Sequence, residues 1–261
     1  CSDFLVNTLL KWSDTVYVQE FKAKAWDGTY LSSKNIIASF NPTNPNRIFF
    51  AAHWDSRPYA DFDPDPSNHR KPIPAANDGA SGVGVLLEIA RLLSQNKPGI
   101  GLDIILFDSE DYGEPNDIEN KSEDTWCLGS QYWANNPHKP GYYARFGILL
   151  DMVGAKDAVF TMENTSMYFA PDVMKKVWNI AKELGYESYF SQEKTGGIID
   201  DHLYINKIAR IPTIDIVHHD KTTSSGFFPY WHTMKDDMSN IDKKTLLIVG
   251  NTLLTVLFNE E

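Results

Sequence analysis

The sequence predicts an α/β protein, a three-layer α/β/α sandwich around a mixed central sheet. Four short unbroken apolar runs, at 48–52, 102–107, 146–150 and 211–217, read as strands covered on both faces. Helical stretches separate these runs, and strands alternating with helices build layered sandwiches. Two earlier strands that look antiparallel, at 16–25 and 35–40, make the sheet mixed.

The elements follow in order. Ser2-Asp3-Phe4-Leu5-Val6 opens an amphipathic helix. Residues 16–25 alternate as a strand with one exposed face, and 35–40 form a second strand. Asn41-Pro42-Thr43-Asn44-Pro45-Asn46 marks the turn after it. The helix expected over 82–93 carries Val85, Leu86, Ile89, Ala90 and Leu93 on one face, and Asn96 with Pro98 ends it. Further helices are expected at 130–135, 171–184, 201–206 and 241–258. The apolar stretch 245–258 is too short to span a bilayer, which needs about 20 residues, and reads as a buried helix.

No repeat, low-complexity tract or long linker interrupts the 261 residues, so one catalytic domain over 1–261 is expected. Because the first helix starts at once, the chain is expected to begin inside a longer protein. A net charge of −11, with no basic stripe, argues against nucleic acid. Cys1 and Cys127 leave open whether one bridge forms. Cys127 has no evident base partner and reads as structural. The sequons Asn120-Lys121-Ser122 and Asn164-Thr165-Ser166 read as chance surface residues.

The polar residues at strand ends carry the functional signal. His53 and Asp55 follow the 48–52 strand; Asp108, Glu110 and Asp111 follow 102–107; Asp151 follows 146–150. Asn77-Asp78 opens the helix at Gly82, and Trp231-His232 lies after the 211–217 strand. Ligand sites of open α/β sheets form outside the carboxyl ends of strands. Taken singly, Asp78 reads as a helix N-cap, Glu110-Asp111 as a solvated acidic turn, and either histidine as an ordinary buried one. Together at one sheet edge, such acids repel strongly without a cation. Carboxylates with imidazole and no ligating thiol suit zinc, whereas Mg²⁺ and Ca²⁺ prefer oxygen alone. Asp55, two residues past His53, is placed to fix the tautomer of that ring. The glycine-rich run 77–84 has neither dinucleotide spacing nor a phosphate-loop lysine, and Ser81 lacks the nucleophile elbow of serine hydrolases.

Four segments resemble the ordered motifs of the zinc aminopeptidase superfamily: Ala52-His53-Trp54-Asp55-Ser56, Ala76-Asn77-Asp78-Gly79-Ala80-Ser81-Gly82, Phe107-Asp108-Ser109-Glu110-Asp111 and Leu150-Asp151-Met152-Val153-Gly154-Ala155. Ile199-Asp200-Asp201-His202 and Trp231-His232-Thr233-Met234-Lys235-Asp236-Asp237 resemble its cyclising branch, the animal-type glutaminyl-peptide cyclotransferases. The similarity runs from about Ser33 to the C-terminus, with an insertion near 112–125. It implies a zinc aminopeptidase-like fold and a single Zn²⁺ on Asp78, Asp111 and His232. It also implies Glu110 as general acid/base, Asp151 and Asp200 as its carboxylate network, and Trp231 as a wall of the substrate pocket. Asp111 stands where the family usually has Glu, and Ile214-Asp215 where animal cyclases carry histidine.

The implied reaction closes an N-terminal glutaminyl residue of a peptide or protein to pyroglutamate and releases ammonia. An extracytoplasmic, periplasmic or secreted monomer is expected. A two-zinc aminopeptidase is the alternative: His53, Asp78 and Asp151 would hold one ion, and Asp78, Asp111 and His232 the other. A binding module without catalysis predicts a lost ligand or base, and none is lost.

Overall fold

A computed structural model describes residues 1–119 and 124–260. The chain runs α1 (Ser2–Leu9), β1 (Thr15–Lys24), β2 (Tyr30–Phe40), β3 (Arg47–His53), α2 (Ala80–Leu93), β4 (Gly101–Phe107) and α3 (Leu128–Asn135). It continues through β5 (Gly147–Asp151), β6 (Phe160–Glu163), α4 (Asn164–Phe169), α5 (Pro171–Glu183) and β7 (Phe190–Thr195). It ends with α6 (Asp201–Tyr204), a π-helical turn (Ile205–Ala209), β8 (Thr213–Val217) and α7 (Lys243–Asn259).

Six strands form the main sheet in the order β1-β2-β4-β3-β5-β8. The first two pairings are antiparallel, and β4, β3, β5 and β8 are parallel, as the apolar runs predict. Along β3, Ile48, Phe50 and Ala52 enter the core with Leu86 and Ile89 of α2, Trp178 of α5 and Leu253 of α7. Phe49 and Ala51 face the other way, toward Trp133 of α3 and Ile205 of the π-helical turn. The period-2 alternation of strand side chains thus fills two cores, which makes three layers. Glycines admit the closest approaches. A Cβ at Gly82 would lie 2.6 Å from the Leu150 carbonyl oxygen, so α2 rests almost directly on β5.

The structure adds elements that the sequence pattern does not predict. β6 and β7 form a separate parallel pair, and β2 begins at Tyr30, five residues before the expected start. The first half of β2 is polar and is held by its ladder to β1. Helix α7 starts at Lys243, where the Asp242 carboxylate accepts the Lys244 N–H at 3.0 Å. Cys1 is exposed and Cys127 buried, both as free thiols, so no bridge joins them. Asn164 is exposed at the first turn of α4, whereas Asn120-Lys121-Ser122 and part of the expected insertion lie outside the described residues. No helix among the described residues is long and apolar enough to cross a membrane.

Candidate metal centre and catalytic pocket

Because β4, β3, β5 and β8 are parallel neighbours, their carboxyl ends share one edge. His53 ends β3 and Asp151 ends β5; Glu110 and Asp111 follow β4 directly. Asp78 does not cap α2: the N-cap is Gly79, with no side-chain capping bond, and the Asp78 carboxylate turns into the site instead. Its Oδ1 lies 3.1 Å from His53 Nε2, and its Oδ2 3.6 Å from His232 Nε2. One carboxylate therefore faces two imidazoles. Asp111 Oδ1 is 3.4 Å from His232 Nε2, and Asp151 Oδ1 is 3.3 Å from His53 Nε2. His232 holds its place in the left-handed region, at φ 54°. A non-glycine residue there is strained and tends to mark a functional position.

Two donor groups result, His53–Asp78–Asp151 and Asp78–Asp111–His232, each with its atoms within 4.8 Å of one another and every residue buried. The second fits zinc on its own evidence. Its contacts to His232 Nε2, at 3.4 and 3.6 Å, are too long for good hydrogen bonds, and Asp111 Oδ2 has no hydrogen-bond partner. Two buried carboxylates and an imidazole left this open are a zinc donor set with room for a further ligand. The loop that carries Asp111 is anchored from behind. The fully buried Arg57 donates to the carbonyl oxygens of Asp111 at 3.1 Å and Glu114 at 3.3 Å. It also pairs with both oxygens of Asp61, whose Oδ1 lies 3.4 Å from His232 Nδ1.

Carboxylates behind the donors fix their backbone. Asp55 Oδ1 faces His53 Nδ1 at 3.4 Å, beyond a good hydrogen bond, and the same carboxylate accepts the N–H groups of Glu110 and Asp111. Asp236 accepts the N–H groups of Asn77 and Asp78 at 2.8 and 3.0 Å. Sequence reading missed Arg57 and Asp61, and it quoted Asp236 in a motif without giving it a role. Arg57 and Asp61 follow the His53-Trp54-Asp55 motif closely, but no spacing rule marks them. It also missed the neighbour of Cys127, whose thiol donates to Glu110 Oε1 at 3.1 Å.

Burial pushes Glu110 well above the usual carboxylate range; the nearby His53 opposes this, while the charges of Asp111 and Asp200 add to it. Asp200 is raised by burial as well, and its carboxylate lies within 4.8 Å of the Glu110 and Cys127 donors. Burial and the charge of Asp78 push Asp151 up to about 7, and its contact is His53. Burial alone would lower His53, but its carboxylate partners Asp151, Asp55 and Asp78 outweigh that and raise it.

Glu110, Asp151 and Asp200, with Asp78, Asp111 and His232, line a cavity of about 190 Å³. Its apolar wall includes Trp231, stacked 3.7 Å from the His232 ring, and Phe227, 4.8 Å from Trp231. Trp126 lies nearly parallel to His232 at 6.1 Å, beneath the Arg57 guanidinium at 4.5 Å. The structure therefore brings all seven expected site residues, Asp78, Glu110, Asp111, Asp151, Asp200, Trp231 and His232, to one cavity.

A parallel-edge cavity with clustered carboxylates and imidazoles is the site of a metallopeptidase-type fold. Residues 35–257 match Peptidase family M28, and the chain belongs to that family. It is similar to the glutaminyl cyclase of Tannerella forsythia, with 52% identity and a TM-score of 0.98 over all of this chain and 90% of that one. A Zn-dependent exopeptidase from Parabacteroides distasonis is 51% identical, with a TM-score of 0.98 over 99% of this chain and 89% of that one. Among curated proteins, the glutaminyl-peptide cyclotransferase of Bos taurus is 28% identical over 244 residues. That alignment takes in 83% of this chain and 63% of the bovine protein, so the chain spans less than two thirds of this relative.

Proposed function

We propose that the protein converts N-terminal glutaminyl residues of peptides or proteins to pyroglutamate, using one zinc held by Asp78, Asp111 and His232. The observation that carries this reading is the placement of Glu110. A half-buried carboxylate with raised proton affinity lines the same cavity as the donor set, next to Asp111. Zinc bound there supplies a Lewis acid for the side-chain amide carbonyl. The cavity holds the terminal residue against Trp231, with its α-amine toward Glu110. The α-amine attacks the side-chain carbonyl carbon, forming the ring C–N bond, and the bond to the amide nitrogen breaks. Glu110 takes a proton from the amine and delivers it to the departing nitrogen, which leaves as ammonia. Proximity is built into the substrate, so orientation and proton transfer remain for the protein. Asp200, within 4.8 Å of Glu110, disfavours a second negative charge there and keeps Glu110 a ready proton acceptor. Asp151 belongs to this network through His53, since its observed contact is the imidazole.

Names of similar proteins support this chemistry, as do the complete donor set and the aromatic wall. The reading extends to a single catalytic domain acting as a monomer outside the cytoplasm. The test is to incubate the protein with a Gln-initiated peptide and weigh the product. Loss of one ammonia, with one zinc per chain, is expected. Glu110→Gln is expected to retain zinc and lose about 10²–10⁴-fold in kcat.

A second reading has its own observation. His53, Asp78 and Asp151 also form a buried donor group, with Asp78 shared between both groups. Two such ions with a bridging water define an aminopeptidase. Two tightly bound zinc ions and release of whole N-terminal residues would replace the cyclase reading with this one.

A further inference from the structure

Cys127 is a buried nucleophilic group that the proposed reaction leaves unused, and its surroundings single it out. Its side chain is fully buried, and its backbone lies in the left-handed region at φ 57°. That conformation suits glycine or asparagine and destabilises other residues, so a cysteine there needs a reason beyond filling space. The thiol supplies one. It donates to Glu110 Oε1 at 3.1 Å, and among the described residues it is the one hydrogen-bond donor to that carboxylate. Glu110 and Asp200 line the catalytic cavity, while Cys127 stands behind them with its sulfur within 4.8 Å of a carboxylate oxygen of each.

Both partners are fixed before any substrate arrives. The chain leaves the site after Glu110 and returns at Cys127, and two backbone bonds close the neck of that excursion. Cys127 N–H donates to the Glu110 carbonyl at 2.9 Å, and Leu128 N–H to the Ser109 carbonyl at 3.0 Å. The Cys127 carbonyl accepts the Ser130 hydroxyl at 3.1 Å and the Gln131 N–H at 3.0 Å, which seats it on the first turn of α3. From the end of β3, the Asp55 carboxylate accepts the Glu110 N–H at 3.0 Å. The Glu110 backbone is thus held at both its polar groups, and only the side-chain torsions remain to be set.

We propose that Cys127 is a positioning residue for the proton carrier: its S–H fixes Glu110 Oε1 and leaves Oε2 to face the substrate amine. The inference rests on the cyclisation reading, in which Glu110 moves the proton. A thiol suits this task because it is a weak donor. An ammonium or guanidinium in its place would hold the carboxylate more firmly but strip its affinity for a proton. Burial, with the Glu110 charge adding, pushes the thiol well above its usual range, which keeps it an S–H and so a donor. Fixing one oxygen removes carboxylate rotamers that do not reach the amine, and orientation of this kind acts on the chemical step rather than on binding.

The test compares zinc-loaded Cys127→Ala and Cys127→Ser with wild type on a Gln-initiated peptide. Cys127→Ala is expected to lose about tenfold in kcat while KM stays within about twofold of wild type. Cys127→Ser keeps a donor at nearly the same volume and is expected to return kcat to within about threefold of wild type. An unchanged kcat in Cys127→Ala overturns the role. So does a serine variant as slow as the alanine one, which would mark the loss as one of packing. The unsubstituted thiol gives a second reading should either variant misfold. Its S–H stretch falls in an infrared window clear of other protein bands, and in Cys1→Ser protein that band belongs to Cys127 alone. The band is expected at the lowered frequency of a hydrogen-bonded thiol and to move when Glu110→Ala is added. A band that Glu110→Ala leaves in place overturns the contact. A wild type that releases no ammonia overturns the cyclisation reading, and the infrared band tells that failure apart from failure of the Cys127 contact.

Discussion

The Asp55 carboxylate faces His53 and holds the backbone N–H groups of Glu110 and Asp111, so one side chain ties the ends of β3 and β4 together. Its place two residues past His53 was legible, because spacing along one strand end carries directly into space. Arg57, Asp61 and Asp236 were not legible, since their partners come from distant loops and no sequence interval encodes such a meeting. Asp108 makes a prediction at this scale. Burial, with the charge of Asp55 adding, pushes its carboxyl up to about 6 from an ordinary 3.8, against its bonds from the Lys34 and Ser109 N–H groups. An acid whose folded value is raised binds its proton more tightly in the native state. Its contribution to stability is therefore lost as pH rises from about 4 through 6. Denaturant unfolding is expected to show wild type losing stability relative to Asp108→Asn across that window. A difference between the two proteins that does not change with pH would remove Asp108 from this role.

Among the elements, those with a strong apolar pattern were read well and those held by backbone ladders were not. β3, β4, β5 and β8 are continuous apolar runs, and their order in the sheet explains why both faces are covered. β7, Phe-Ser-Gln-Glu-Lys-Thr, is mostly exposed and polar, and only its pairing with β6 makes it a strand. The start of α2 shows how an element end serves the site. Gly79 has φ 83°, and a Cβ there would lie 2.7 Å from His53 Cε1. The Asn77–Gly79 turn and the His53 ring therefore occupy adjoining space with nothing to spare. Gly79→Ala is expected to cost about 2–4 kcal/mol, from strained backbone and the displaced ring. Its chemical denaturation midpoint should fall accordingly, and a midpoint within error of wild type would contradict the contact.

For the molecule as a whole, the sheet carries stability while its carboxyl edge concentrates negative charge. Asp78, Asp111, Asp151 and Asp200 all lie buried around one small cavity, in a chain already at net −11. A bound cation offsets that charge only in the folded state, so it adds to stability by linkage. Stripping zinc with a chelator is expected to lower Tm by several degrees, and adding zinc back to restore it. An unchanged Tm would mean that the donor groups hold no ion tightly. The overall layering was legible because it follows from which strands are apolar on both faces. The number of ions was not, because His53 and Asp151 stand ready for either arrangement.

The two indoles lying nearly parallel to His232 have an optical consequence. Trp231 is 3.7 Å from that ring and Trp126 is 6.1 Å away. Tryptophan emission responds to the charge of a neighbouring imidazole, so two of the seven indoles in the chain stand where an ion on the proposed ligand His232 would alter their emission. Filling the centre, or emptying it, should be visible as a change in emission, with no label attached.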